Sequence, residues 1–248
     1  AALEAANRAL ADVERLRAEL ARPPAQPPPA ADKPADPPPW YAVIKWNAMA
    51  TAAWTWNFND PDSKANTLRA YDIAHNTLSI DGAVLSIRKD PVYADGNPKG
   101  GDWGFRADLA LGQTIPKISA ARGLFRDPAT GVAQDVDLLQ AYASYVIPVG
   151  RGLRLDGGKF VTHIGPELIP GPDGVNWNYS HSFSFTYGPY THTGLKLSYA
   201  FNDYVSAMVM VTNGWDNALD NNDGKSVCGQ IGIYRTSNRT IQFFAQHS

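Results

Sequence analysis

The chain has 248 residues, a formal net charge of -2, 44% hydrophobic residues, 21 glycines and one cysteine. That balance leaves no basic footprint for nucleic acid, and Cys228 alone builds neither an internal disulfide framework nor a Cys/His zinc site. No apolar run reaches the roughly 18 residues of a membrane-crossing helix, but a β-strand crosses in about 9–11 residues of alternating polarity, so only a helical span is excluded.

Residues 1–21, "AALEAANRALADVERLRAELA", place Leu3, Ala6, Leu10, Val13, Arg17 and Leu20 at alternating spacings of four and three, which predicts a coiled-coil helix. Three heptads are marginal for an isolated helix, and Arg17 weakens the seam, so the helix is expected to need partner chains or an upstream continuation. Residues 22–39 carry nine prolines and predict an extended, semi-rigid linker. The chain opens at Ala1 without a signal-like segment, which reads as a processed or excised start.

From Trp40 onward the period is two. Trp103, Phe105, Ala107, Leu109 and Leu111 alternate with Gly104, Arg106, Asp108, Ala110 and Gly112; Leu195, Leu197, Tyr199 and Phe201 alternate with Lys196, Ser198 and Ala200. Nine strands are expected, at about 41–58, 77–89, 102–114, 136–148, 152–161, 182–200, 203–212, 225–235 and 239–247. One face is apolar and often aromatic, while the other carries full charges. A soluble sandwich buries the apolar face; a transmembrane barrel turns it to lipid and the charged face to water. Loop lengths favour the barrel. Connections after strands one, three, five and seven are long, those after four, six and eight are tight, and only the second breaks the rule. Trp54, Trp56 and Phe58 at one strand end, with Phe201 and Tyr204 at a tight turn, suit the aromatic girdles of a membrane interface.

The polar residues suggest chemistry only at first sight. His163, Ser180, His181, Ser182 and His192 lack the G-x-S-x-G elbow of a hydrolase, and no HExxH helix supports a three-histidine metal site. In "DNALDNNDGK" an EF-hand alignment puts Leu219 at the first position and Gln230 at the twelfth, where acids are needed. Loose divalent-ion binding by Asp216, Asp220 and Asp223 is the alternative to a solvated acidic loop. No catalytic residue, cofactor or resident metal is expected. Pro189 stands inside the sixth candidate strand and cannot donate to its ladder, so a bulge or break is expected there, with Tyr190 and His192 re-aimed at a pore mouth.

With the strands placed, the pieces Gly158-Lys159-Phe160, Gly165 through Glu167, Asn178-Tyr179-Ser180, the run "PYTHTG" from Pro189 to Gly194, and Asn213-Gly214-Trp215-Asp216 with Asp220-Asn221-Asn222 resemble the OmpL-like outer-membrane β-barrel porin family. The likeness covers residues 40–248 and is strongest over 155–226. It implies a passive diffusion channel for small hydrophilic solutes and ions in the outer membrane of a Gram-negative bacterium, with the N-terminal helix in the periplasm. The expected fold is all-β: an antiparallel transmembrane β-barrel domain over 40–248, after the coiled-coil helix (1–21) and proline-rich linker (22–39). Closed bacterial barrels have even strand numbers and end on an aromatic residue. Nine strands ending in "FFAQHS" therefore predict a C-terminally incomplete barrel.

The expected pore lining is Arg106, Asp108, Gln140, Arg154, Asp156 and Lys196. Three basic against two acidic groups predict no strong ion selectivity. Expected partners are outer-membrane lipid, the solutes themselves, and a homotrimer through residues 1–21. Two alternatives stand beside the channel: a tether that joins the outer membrane to the cell envelope through the coiled coil, and a soluble sugar-binding β-sandwich.

Overall fold

The structure, a computed structural model, describes residues 39–67, 71–92, 101–120, 123–127, 129–169, 171, 179–236 and 239–247. The expected coiled coil (1–21) and all but the last residue of the linker (22–39) lie outside the described residues. After a 3-10 turn at Trp40–Val43 the chain forms nine strands: β1 (Lys45–Thr55), β2 (Thr77–Lys89), β3 (Asp102–Leu111), β4 (Val136–Ile147), β5 (Leu153–Val161), β6 (Thr191–Ala200), β7 (Val205–Thr212), β8 (Ser226–Thr236) and β9 (Arg239–His247). Two short helices interrupt the loops, α1 (Ile115–Ile118) and α2 (Phe183–Tyr187).

Every strand pairs antiparallel with its sequence neighbours in one sheet of order β1 through β9. This is the meander of a barrel wall, with β1 and β9 at its two edges. It overturns the sandwich alternative, since the described strands form a single sheet and no second sheet covers its apolar face. The connections alternate as the barrel requires. Residues 56–76, 112–135, 162–190 and 213–225 join strands at one end, and 90–101, 148–152, 201–204 and 237–238 at the other, where 90–101 is the one long connection.

Register sorts the side chains onto two faces. Leu85 pairs with Leu109 and Ile87 with Ala107, while Ser86 pairs with Asp108 and Arg88 with Arg106. The exposure of these faces is the reverse of a soluble protein. Trp103 is 56% exposed and its strand neighbour Asp108 only 1%. Leu78, Ile80, Leu195, Val209, Val211, Val227 and Ile231 are all exposed. An apolar face of this extent is stable only against hydrocarbon. At the short-turn end Trp46, Trp103, Tyr145, Phe201 and Tyr204 are exposed, and at the long-loop end Trp54, Trp56 and Phe58. Ring centroids of 5.8 Å for Trp54–Trp56 and 6.1 Å for Trp103–Phe105 knit these girdles together.

The break expected at Pro189 takes a different form. Residues 182–190 are not strand. Ser182 caps α2 by accepting the Phe185 N–H at 3.2 Å, and the Gly188-Pro189 pair ends it. β6 starts only at Thr191, and its pairings with β5 and β7 run without a register shift. No bulge re-aims Tyr190 or His192. The irregularities lie elsewhere: one between Tyr234 and Thr236 in β8, and two at the long-loop end, where Asp81 is the extra residue in β2 opposite Thr51 and Ala52, and Leu139 the extra residue in β4 opposite Asp108 and Leu109. Both extra side chains are buried where the long loops fold back onto the sheet.

Two glycines set the close approach of the central strands. Gly158 and Gly194 are partners across β5 and β6. A Cβ on Gly194 would stand 2.0 Å from the Val211 carbonyl oxygen, and one on Gly158, whose φ is +137°, would stand 2.2 Å from that of Ala141. Backbone cannot yield as a flexible side chain can. Gly158→Ala adds left-handed strain, about 1–2 kcal/mol by itself, to this clash, and Gly194→Ala meets the backbone clash alone; both are expected to destabilise the folded protein. Denaturant unfolding followed by circular dichroism checks this, and an unchanged midpoint in both variants would contradict the packing.

Candidate functional site

The inner face carries the charges, and strand geometry brings all six expected lining residues to it. Asp108 is opposite Gln140, and Asp156 is opposite both Ser144 on β4 and Lys196 on β6. Arg106 and Arg154 stand two residues before Asp108 and Asp156, on the same face.

Asp108 and Asp156 each have several donors. Asp108 receives the Arg106 guanidinium at 2.7 Å and the Gln140 amide at 2.6 Å. Gln140 turns its own oxygen to the Val161 N–H at 3.1 Å. Asp156 receives Arg154 Nε at 2.6 Å, Ser144 Oγ at 2.5 Å and Lys196 Nζ at 3.2 Å. Lys196 also lies 4.4 Å above the centroid of Phe160. Lys159 meets Asp137 at 2.7 Å, with both side chains buried. Removing one partner of such a pair leaves an uncompensated charge, at a cost of about 3–5 kcal/mol. These networks therefore come as units.

Toward the long-loop end the inner face becomes apolar. Val84, Ala110 and Leu139 from the wall pack with Ile115 and Ile118 of α1 and with Tyr190, flanked by Tyr71, Val161, Ile169 and Phe185. The loops fold inward, as their polar ties confirm. Tyr179 donates to Asp81 at 2.6 Å, crossing from the β5–β6 loop to β2. Tyr71 and Tyr190 share a hydrogen bond of 2.7 Å between their hydroxyls, and burial pushes both phenols up from their ordinary pKa. Asp216, in the left-handed region at φ +51°, accepts the backbone N–H groups of Tyr190 and Thr191 at 2.6 and 2.8 Å. Three long loops thus meet at Tyr190.

The three histidines separate. His163 and His192 come together with ring centroids 5.8 Å apart, and His192 Nε2 shares a hydrogen bond of 3.0 Å with Thr162 Oγ1. His181 instead stacks on Phe185 at 4.2 Å, with Nδ1 3.3 Å from Glu167 Oε2. Among the described residues no group of three His, Cys, Asp or Glu side chains is arranged to hold a metal ion. The acidic loop is likewise engaged: Asp216 holds the start of β6, while Asp220 pairs with Lys225 and accepts the Asn222 N–H.

Residues 43–247 match the family model described as "Putative beta-barrel porin-2, OmpL-like". The chain belongs to this OmpL-like β-barrel porin family. No curated protein and no solved structure gives a significant match. In this porin-family wall, sequence reasoning missed Tyr71, Asp81, Leu139, Tyr179 and Asp216 as the residues that anchor the loops. One signal was present: Val84 and Ala110 are apolar where the polar face of their strands should run, whereas Leu139 alternates with the apolar face and is turned inward only by the bulge.

Two groups of the loop end titrate in opposite senses. Burial raises Asp216 to about 6, against the pull of its two backbone N–H groups and Lys159. Burial, helped by Lys196, lowers His163 to about 4. For Asp216 the folded state binds the extra proton, so its contribution falls as pH rises from about 4 to 6; for His163 the unfolded state binds it, so its contribution rises from about 4 to 6.5. Compared with the parent protein over pH 4–6, Asp216→Asn is expected to make stability rise more steeply with pH, and His163→Gln less steeply. Thermal melts across that range read both slopes, and identical slopes in all three proteins would refute the assignment.

Proposed function

We propose that the chain forms the wall of a passive diffusion channel in the outer membrane of a Gram-negative bacterium, through which small hydrophilic solutes move down their gradients. One observation carries this reading: a single antiparallel sheet exposes tryptophan, leucine and isoleucine on one face and holds arginine, lysine and aspartate on the other. Hydrocarbon suits the first face and a water-filled lumen the second. Membership of a porin family supports it independently.

Arg106, Asp108, Gln140, Arg154, Asp156 and Lys196 line the passage in this reading, and sorting is by width and by the field of these charges. The long loops face outward and the short turns face the periplasm, as in other barrels of this kind. Lys45, the first residue of β1, is opposite Arg88 beside the β2–β3 connection, so the chain enters the wall at the short-turn end. In this reading the N-terminal segment belongs to the periplasm, as the family resemblance implies.

Reconstitution of the full-length protein into planar bilayers is the test. Discrete conductance steps that grow with salt concentration are expected. A purified, folded protein that never conducts above background would overturn the channel reading.

A further inference from the structure

The signs along the lumen are mixed in sequence, but they are not mixed in depth. We infer that the inner face presents a cationic surface over a buried acidic layer, and that the pore prefers small anions, carboxylates included, to cations. This rests on the channel reading above.

The ordering holds in both inner-face clusters, around Asp108 and around Asp156. Arg106 is 15% exposed over Asp108 at 2%; Arg154 is 28% and Lys196 23% exposed over Asp156 at 2%. Arg88, opposite Arg106 in the register, is 21% exposed and pairs with Asp90, which at 54% is the more exposed partner at the short-turn rim. Asp108 and Asp156 are spent on donors within the wall, whereas their cations also reach the water. An ion pair has no net charge but remains a dipole, and these dipoles all turn their positive ends toward the lumen. An ion in the passage meets the cation first, and the Coulomb interaction falls with distance, so the nearer charge decides. The low-dielectric wall behind the pairs focuses that field into the water.

Other charges do not reverse the sign. Asp137 and Lys159 are buried together, as a neutral pair. At the short-turn rim Asp90 and Asp203 are exposed and Asp102 is half-buried, but they are paired with Lys45, Arg151 and Lys89 in turn, so the inferred cationic layer is confined to the middle of the wall. Asp81 is buried and accepts Tyr179 and Ser79 hydroxyls. Glu167, which borders the same inner-face cavity of about 490 Å3 as Arg106, Asp108 and Lys196, directs its carboxylate to the Ser182 N–H and His181. In that cavity Gln140, Tyr142 and Gln230 add neutral polar or aromatic contacts beside the two cations. A small carboxylate there finds guanidinium and ammonium donors in reach of one passage, a match for charge-assisted hydrogen bonding.

Reversal potential in a KCl gradient across a bilayer that holds the full-length protein tests the inference. Chloride is expected to be favoured over potassium by about threefold or more, the enrichment that a lumen potential near thermal energy produces. Acetate in place of chloride should leave the sign unchanged. Arg106→Gln with Asp108→Asn removes one dipole without stranding a buried carboxylate, and should bring the ratio clearly toward one. Lys196→Arg should retain it, and Lys64→Gln in the β1–β2 loop should not move it. Conductance without anion preference, or a preference that survives loss of the Arg106–Asp108 pair unchanged, would overturn the inference and leave the channel standing. Absence of any conductance would instead sink the channel reading itself.

Discussion

In a bilayer every backbone N–H and C=O must find its partner inside the protein, since hydrocarbon offers none and each orphaned group costs several kcal/mol. That one requirement orders the rest of the molecule. It forces an uninterrupted ladder from β1 to β9, and a ladder forces the period of two. With a fixed period, each strand presents one face to lipid and one to water, so a shift by a single residue would move Arg106 and Asp108 into hydrocarbon. The register is thus held by the penalty for error on the charged face as much as by the fit of Leu85 against Leu109.

Near the loop end the ladder is relaxed twice, where an extra residue can be accommodated. Asp81 and Leu139 are such residues, and each converts a local irregularity into an anchor. Leu139 extends the wall's apolar patch toward Ile115 and Ile118, and Asp81 gives Tyr179 an acceptor. The β5–β6 loop then has both an apolar and a polar reason to fold inward. Tyr190 completes the junction: its ring packs in the apolar cluster, its hydroxyl meets Tyr71, and its amide is held by Asp216. The β1–β2, β5–β6 and β7–β8 loops thus converge on this one residue.

Strand number, order of faces and the six inner residues were legible in the sequence because alternation follows directly from a two-faced wall. The start of β6 was not. "HSFSFTY" alternates as a strand does, yet Ser182 as N-cap and Gly188-Pro189 as terminator favour a short helix, and local capping won over a pattern too brief to compel a strand. The loop anchors were hidden for another reason. Tyr71 and Tyr190 are 119 residues apart, and nothing in either neighbourhood specifies the other. Their meeting depends on how far two loops reach across a curved sheet, which spacing along the chain does not encode.

The same limit applies to charge. A sum over Arg106, Arg154, Lys196, Asp108 and Asp156 treats each group as equally present to a passing ion, and depth breaks that equality. A short aspartate keeps its carboxylate close to the sheet, where Gln140 and Ser144 reach it. Arginine and lysine have stems long enough to satisfy that carboxylate and still extend their heads toward water. Side-chain length therefore converts an alternation of signs along a strand into layers across the wall. The hydroxyls and histidines of residues 178–194 yield to a similar argument: Tyr179, Ser182 and Tyr190 are occupied with Asp81, α2 and Tyr71. Their polarity serves to seat a loop against a wet wall, and a reaction is not needed to account for it.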